Sequence, residues 1–289
     1  MRLGRGTNPR IHPGGLGLLS RGTPGDRRSM IKRLVHGELP LIQAEGAQHN
    51  CVYLPDQLAR FAYLYPRRRL SRAELDEQLA AGRRRSGPYL YYTSCASCRA
   101  CQPTRVPVAN FAWTRSMRRA ENRGDRQIVT KFGSGSVDAA RVELYNRHRL
   151  ERKLADASIS QPQEYREFLI ETCCITQELG FYDRDQLIGC NILDVGERAL
   201  SAVYTYFDPA YARWSVGTYA VLKLIRLAES MNMDYVYLGL YVATNKHLSY
   251  KARFLPQERL IDGRWVAFRD QEGRGAVDQP AAELPHQIG

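Results

Sequence analysis

An amphipathic helix between two apolar strands constrains the fold of this chain most strongly. The segment SVGTYAVLKLIRLAESMN, which begins at Ser215, is apolar at near-3.6 spacing. ALSAVYTYFD precedes it, MDYVYLGLYV follows it, and CCITQELGFYD and QLIGCNILDV lie upstream, all with the pattern of strands. Because a helix and a sheet each bury one face against the other, this order predicts an α+β fold in which helices flank a mixed, mostly antiparallel sheet.

Local signals predict further helices. Ser71 and Glu74 form a capping-box pattern, so we expect a helix over 72–81. Residues 137–155 place their apolar side chains near one helical face. Pro162 suits the first position of another helix, because its missing N–H is not needed there.

Composition divides the chain into segments. Residues 1–29 combine six Arg, seven Gly and three Pro with few large apolar residues, so they cannot bury enough surface to offset their ordering entropy. The GSGS sequence indicates a linker, and Met30 is a candidate start of the protein. The segments that we expect are a disordered tail (1–29), a cysteine-rich basic N-terminal domain (30–132), a second domain (133–268) and a disordered tail (269–289).

The charge is strongly basic and uneven. The chain has 42 Lys and Arg against 30 Asp and Glu, a formal net charge of +12, and all but six of the basic residues are Arg. The window 60–131 holds sixteen basic and five acidic residues, interleaved with aromatics. Arg suits phosphate contacts and aromatic rings stack on unpaired bases, so this composition indicates an RNA partner. The alternative is a solvated basic face over core aromatics.

A cysteine run lies in the basic window. Cys95, Cys98 and Cys101 are three residues apart, and Cys51 is the economical fourth ligand for zinc or for an iron–sulfur cluster. The alternative is a set of buried thiols or a redox pair. An odd total of seven cysteines and the lack of a secretory signal indicate a reducing, cytoplasmic compartment. The remaining thiols, which we expect in the cores of strands, are Cys173, Cys174 and Cys190.

Six sequence blocks carry a family resemblance. In chain order they are CVYLPDQLAR, RRSGPYLYYTSCASCRACQPTRVPV, FAWTRSMRRAEN, LSAVYTYFDP, GTYAVL and YVYLGLYV with the later YKARFLP. With these blocks the chain resembles the aminoacyl-tRNA–protein transferases, both the bacterial aspartate/glutamate leucyltransferases and the eukaryotic arginyltransferases. The resemblance runs from Cys51 to Trp265.

The resemblance implies an activity. An aminoacyl group would move from its tRNA to the N-terminal amine of a protein beginning with Asp or Glu, which marks that protein for degradation in the N-degron pathway. The tRNA ester is already activated, so no cofactor is required for catalysis. The resemblance also implies a GNAT-like fold for the second domain, and a regulatory or tRNA-holding role for the first. We expect no membrane partner and no DNA partner.

The resemblance also implies where the reaction occurs. In GNAT-like folds the acyl donor lies against the N-terminus of a helix that follows a strand. Here the amides of Val216, Gly217 and Thr218 would face the reacting carbonyl, where unpaired N–H groups stabilise an oxyanion. Asp208 is a candidate base or holder of the amine, and Tyr204 a candidate pocket residue. The alternatives are a turn-forming Asp-Pro pair and a core aromatic.

An acidic N-terminal side chain requires a cation in the enzyme. Lys246, Lys251 and Arg253 are the candidates, and Tyr241 is a candidate for the wall of the same pocket. For each of these cations the alternative is an exposed surface charge. The SMRR block supplies the candidates for contact with tRNA, which are Arg115, Arg118 and Arg119.

Two other functions remain open from the sequence. A coenzyme A-dependent GNAT N-acetyltransferase would carry R/Q-x-x-G-x-G/A, whereas here Arg213 and Gly217 stand four apart with no second Gly, which favours an RNA-borne donor. A non-catalytic, metal-stabilised RNA-binding protein would share the basic and cysteine-rich features. Between the two amino acids we favour leucine over arginine, because the chain length and the CVYLP block resemble the bacterial branch.

Overall fold

A computed structural model of the protein describes residues 32–36, 39–154 and 158–270, with side chains from residue 40 onward. The tails predicted over 1–29 and 269–289 lie outside these residues, apart from residues 269 and 270. None of the helices described is long and apolar enough to cross a membrane.

The described residues form an α+β structure. The strands are β1 (Lys32–His36), β2 (Leu39–Glu45), β3 (His49–Asn50), β4 (Leu58–Ala59), β5 (Phe61–Pro66), β6 (Arg84–Ser86), β7 (Tyr89–Thr93), β8 (Gln102–Pro107), β9 (Ile128–Gly133), β10 (Thr176–Asp183), β11 (Gln186–Val195), β12 (Ala199–Phe207), β13 (Tyr235–Tyr241), β14 (Gln257–Ile261) and β15 (Arg264–Phe268). The α-helices are α1 (Arg72–Ala80), α2 (Arg115–Asp125), α3 (Ala139–Glu151), α4 (Pro162–Tyr165), α5 (Val216–Ser230) and α6 (Lys246–Ser249). The 3-10 and π turns are Val108–Asn110, Arg166–Ile170, Pro209–Trp214 and Tyr250–Arg253.

The helices begin where their capping signals predict. The Ser71 hydroxyl accepts the Glu74 amide at 3.1 Å, and the Ser71 amide donates back to the Glu74 carboxylate at 2.7 Å, so the capping box starts α1. Pro162 is at the start of α4, which ends after four residues and continues as a π turn. The prediction of a helix within 137–155 is confirmed by α3.

An eight-stranded sheet, in the order β15-β14-β8-β13-β12-β11-β10-β9, forms the centre of the structure. Adjacent strands in this sheet are antiparallel, except that β12 and β13 are parallel. The prediction of a mixed, mostly antiparallel sheet is therefore confirmed. β8 pairs with both β13 and β14, and β9 pairs with β10. The sequence predicts a domain boundary between residues 132 and 133. β8 precedes this boundary in the chain, yet it lies between β13 and β14 in the sheet, so the sheet contains strands from both sides of the boundary.

The parallel strands β12 and β13 separate after a short ladder. Their register runs only from Ala199 opposite Tyr235 to Ser201 opposite Tyr237. Beyond Ser201, the side of β12 that faces β13 has no ladder partner among the described strands, so a gap opens in the sheet. Helix α5 packs beside this gap, and most of its residues that contact the sheet are fully buried.

A smaller sheet, β1-β2-β5-β7-β6, packs on the large sheet. One of its faces forms an apolar core with α1 and with Cys173 and Cys174. Arg85 on β6 reaches Asp194 on β11 at 2.8 Å, and both side chains are 1% exposed, so this ion pair lies entirely inside the contact between the sheets. The two sheets are therefore in direct contact.

The buried cysteines differ in their local structure. Cys190 lies on β11 and is fully buried, as predicted. Cys173 and Cys174 are also buried, but they lie in the bend before β10 and not in a strand, so that part of the prediction is wrong. In this bend the Cys173 carbonyl accepts a hydrogen bond from the Leu70 amide at 2.7 Å. This bond joins the bend to the core of the small sheet and is not part of a strand ladder.

Candidate active site

A cavity of about 1250 Å³ opens where β12 and β13 separate. Its walls come from β12, the first turn of α5, α3, the β6–β7 turn and the segment that contains α6. The predicted residues that line it are Tyr204, Gly217, Lys246, Lys251 and Arg253. Asp208 and Tyr241 are not among the lining residues.

The N-terminus of α5 faces the cavity without a side-chain cap. Ser215 precedes the helix with φ 56° and ψ 42°, a left-handed conformation, and its hydroxyl does not accept an amide of the first turn. Val216, Gly217 and Thr218 follow it in the cavity wall. Uncapped first-turn N–H groups and the helix dipole both favour an anion or a developing negative charge at this position.

Two arginines add positive charge at the same helix end. A guanidinium nitrogen of Arg253 is 3.4 Å from the Thr218 hydroxyl. A guanidinium nitrogen of Arg123, on α2, is 3.3 Å from the Ser215 hydroxyl. α2 therefore lies beside the opening of the cavity, with its exposed surface next to that opening.

That exposed surface of α2 is basic. Arg115, Arg118 and Arg119 are exposed, and none of them forms an ion pair within the part of the chain that the structure describes. The opposite side of α2 packs on α5, where Gly124 lets the helices approach so closely that a Cβ there would be 2.4 Å from the Tyr219 ring. The three predicted tRNA-contacting arginines therefore share one solvated face, held by packing beside the cavity.

His148 is a cavity residue that the sequence did not reveal as functional. It lies on α3, is 3% exposed, and its Nδ1 accepts the Phe207 amide at 3.1 Å. Burial, and to a smaller extent the charge of Arg152, lower the pKa of His148 to about 4. The ring is therefore neutral at pH 7, and because its Nδ1 is also 2.9 Å from the Phe207 carbonyl oxygen, either ring nitrogen can carry the proton. A single His on an apolar helical face is usually a core residue, so periodicity could not single it out.

Asp208 directly follows β12, and its carboxylate is held by neighbouring groups of the protein. Its carboxylate accepts the Ala210 amide at 2.9 Å and the Arg147 guanidinium at 2.7 Å. The residue is buried. These contacts fix the turn between β12 and α5, which is the turn-forming alternative for the Asp-Pro pair.

The two predicted tyrosines have different surroundings. The Tyr204 ring contacts Tyr145 and Phe168 in the cavity wall, and burial raises the pKa of Tyr204 to about 12. Tyr241 lies instead beneath Arg259, whose guanidinium is 3.7 Å from the ring centroid. Tyr204 is therefore placed to shape the cavity, and Tyr241 to hold the end of β13 against β14.

The predicted substrate-binding cations differ in exposure. Lys246 and Arg253 are exposed at the cavity wall. Lys251 is buried, and its ammonium donates to the Leu240 carbonyl at 2.6 Å. Burial, and secondly Arg84, hold the pKa of Lys251 well below its usual value.

The four predicted metal ligands lie near one another. Burial, and secondly electrostatic repulsion from Cys51, Cys95 and Cys98, raise the pKa of the Cys101 thiol to about 12. Among the described side chains, however, no group of three or more His, Cys, Asp or Glu has the arrangement of a metal site. The ligand set of Cys51, Cys95, Cys98 and Cys101 therefore stays a prediction.

Two sequence-family models match the chain. That of the C terminus of arginine-tRNA-protein transferase matches residues 140–261, and that of its N terminus matches residues 49–119. Together they cover the cavity walls and the cysteine run. The chain belongs to the arginine-tRNA–protein transferase family, and it is an aminoacyltransferase.

Named relatives are bacterial. The aspartate/glutamate leucyltransferase of Stenotrophomonas maltophilia is 36% identical over 253 residues, 83% of this chain and 99% of that protein. The enzymes of the same name from Acinetobacter baylyi and Thiobacillus denitrificans are 34% and 33% identical, over 75% and 76% of this chain and 80% and 92% of their own lengths.

Solved structures are only distantly similar. The C-terminal domain of a putative lysylphosphatidylglycerol synthetase from Agrobacterium fabrum has 10% identity and a TM-score of 0.40, over 62% of this chain and 54% of that chain. FemX has 6% identity and a TM-score of 0.39, over 70% and 79%. Similarities at this level are too weak to carry an argument.

Proposed function

We propose that this protein transfers leucine from leucyl-tRNA to the N-terminal amine of proteins that begin with Asp or Glu, in the cytoplasm, as a step of the N-degron pathway. The supporting observation is the cavity between β12 and β13, which an uncapped helix N-terminus faces and which the basic surface of α2 adjoins. The separation of two parallel strands beside that helix also supports a GNAT-like architecture. The names of the relatives supply the choice of leucine and of acidic acceptors.

The reaction is aminolysis of an ester. The neutral α-amine attacks the carbonyl carbon of the leucyl ester, the tetrahedral intermediate collapses, and the terminal ribose hydroxyl leaves with a proton as the new amide forms. An α-amine has a pKa of roughly 7.7–8.0, so an appreciable fraction is neutral at pH 7. The ester is activated already, so the transfer requires no cofactor and no enzyme nucleophile. Holding amine and ester together is therefore the main task of the enzyme.

The first turn of α5 would stabilise the intermediate. In the transition state negative charge develops on the carbonyl oxygen, and preorganised N–H groups stabilise it without reorganisation. The amides of Gly217 and Thr218, with Arg253 beside them, provide such donors. His148 and Asp208 hold the end of β12 and the following turn, which keeps these amides in place.

The solvated face of α2 would hold the tRNA. Arg115, Arg118 and Arg119 form no ion pair with the described residues and so can pair with phosphates, and Arg123 links this helix to the start of α5. A tRNA on this face would have its acceptor end beside the cavity. The contribution of each exposed arginine to binding is expected to depend strongly on salt.

A transfer assay tests the proposed function. Leucyl-tRNA and arginyl-tRNA with labelled amino acids are each incubated with the protein and with peptides that begin with Asp, Glu or Asn. We expect label from leucyl-tRNA on the Asp and Glu peptides only. Transfer of arginine alone would show that the donor is arginyl-tRNA and not leucyl-tRNA. No transfer from either tRNA would contradict the proposal. Acetylation of the peptides by acetyl-coenzyme A would support the alternative function.

A further inference from the structure

Arg84 occupies a position in the cavity that no sequence pattern assigned to the substrate. It lies on β6 opposite Tyr91, lines the cavity, and donates to the Tyr91 hydroxyl at 2.7 Å. It has no carboxylate partner in the part of the chain that the structure describes. Its neighbour Arg85, on the other face of the same strand, forms a buried ion pair with Asp194.

The backbone of β13 makes room for this guanidinium. Gly239 has a φ of +83°, and a Cβ there would be 2.7 Å from an Arg84 nitrogen and 3.0 Å from its central carbon. The pairing of β13 with β8 also shifts register between Tyr237 and Gly239. Any other residue at 239 would be strained and would displace Arg84. The position of Arg84 against β13 is thus built into the strand.

Lys251 brings a second cation to the same region. Its ammonium uses one N–H on the Leu240 carbonyl and has no carboxylate partner within the described residues. Arg84 packs against Gly239 and Lys251 binds the carbonyl of the next residue, Leu240, so both side chains line the same part of the cavity, and the charge of Arg84 disfavours the protonated form of Lys251. A buried ammonium beside a half-buried guanidinium, with no counter-charge among the described residues, is unfavourable in the free protein, and an anion that enters between them relieves this cost.

We propose that Arg84 and Lys251 form a carboxylate subsite that receives the acidic side chain of the acceptor's first residue. The inference rests on the proposed function, which supplies an acceptor of that kind. A guanidinium fork beside an ammonium matches the two oxygens of a carboxylate. The positive groups that suit RNA lie elsewhere, on α2 and at the start of α5. The subsite therefore selects Asp or Glu, and the tRNA binds at the other end of the cavity, near the start of α5.

Peptide binding without tRNA tests this subsite directly. Fluorescence anisotropy measures the Kd of two labelled peptides that differ only in beginning with Asp or Asn. We expect the wild type to bind the Asp peptide on the order of tenfold more tightly, because hydrogen bonds to a charged group are the stronger ones. Arg84→Gln and Lys251→Gln should each bring this ratio close to one, and Arg84→Lys should keep part of it. Arg264→Gln, an exposed arginine outside the cavity, is the matched control and should keep the wild-type ratio.

The same experiment separates the possible failures. A wild type that binds both peptides equally, or an Arg84→Gln variant that keeps the Asp preference, overturns the subsite. A loss of tRNA affinity in Arg84→Gln with the preference intact would instead assign Arg84 to a phosphate, and also overturns it. If Lys251→Gln does not fold, as judged by circular dichroism, the Arg84 variants decide alone. Intact peptide preference without leucine transfer would support the subsite and contradict the proposed function.

Discussion

The guanidinium of Arg253 lies 3.4 Å from the hydroxyl of Thr218, on the first turn of α5. The contact joins two segments that are 35 residues apart and places a cation at the positive end of a helix dipole. Such a concentration of positive charge is unfavourable unless an anion is present. We therefore attribute it to the negative charge that develops on the carbonyl oxygen of the tRNA ester during transfer.

Replacing Arg253 should weaken the use of tRNA. In Arg253→Gln we expect kcat/KM for leucyl-tRNA to fall by about fivefold, since one hydrogen bond to an exposed charged group contributes about 1 kcal/mol. Steady-state transfer at constant peptide concentration measures it. Unchanged kcat/KM for leucyl-tRNA would remove Arg253 from the donor site.

The amide of Gly217 can be removed selectively. Gly217→Pro deletes the N–H at the second helical position, where the helix itself does not use it. We expect kcat to fall by about 100-fold if this amide faces the oxyanion. Gly217→Ala is the matched control, because it keeps the N–H and its Cβ would lie at ordinary contact distance, 3.4 Å, from the Phe207 ring. Equal losses in the two variants would show that shape matters there and the N–H does not.

The basic face of α2 should determine the salt dependence of tRNA binding. Replacing Arg115, Arg118 and Arg119 together by Gln should reduce the slope of log K against log salt by about 0.7–0.9 for each phosphate that these arginines neutralise. Filter binding between low and physiological salt measures the slope. The charge-matched control replaces exposed arginines elsewhere, which are Arg166, Arg184 and Arg264. A similar change of slope in both triple variants would mean that only net charge matters.

Asp208 should act through the fold. Asp208→Asn keeps an acceptor for the Ala210 amide and weakens the ion pair with Arg147, so we expect a loss of about 1 kcal/mol in the free energy of unfolding. The kcat should fall less than about tenfold, well short of the 100-fold or more typical of a missing general base. Urea denaturation and transfer assays measure the two effects. A folded variant with kcat lowered far beyond tenfold would identify Asp208 as the base.

His148 should make stability depend on acidity. Its pKa is about 4 in the folded protein because of burial and Arg152, against about 6.5 when unfolded. The unfolded state therefore binds more protons between these values, so stability is fully present above pH 6.5 and falls as the pH decreases toward 4, by up to about 3 kcal/mol. Urea denaturation from pH 4 to pH 7 measures this slope. His148→Gln should flatten it, and an unchanged slope in that variant would assign it to other groups.

Local sequence patterns were sufficient for the elements that carry the reaction. The 3.6-residue period gave the extent of α5, the alternation of apolar residues gave β12, and the capping box gave the start of α1. Each of these signals depends only on residues close in the chain, so no knowledge of the neighbours in space was needed. The six blocks, taken together, were sufficient for the family.

Tertiary structure alone decided how these elements combine into a site. The Arg83–Arg85 run looked like one basic segment, yet strand alternation sends Arg84 to the cavity and Arg85 to a buried ion pair with Asp194. β8 joins the large sheet across a predicted domain boundary, and β12 parts from β13 to open the cavity. Strand neighbours and uncompensated charges depend on long-range packing between distant residues. The sequence thus determined the periodic elements and the kind of enzyme, and the packed sheets determined which side chains meet the substrate.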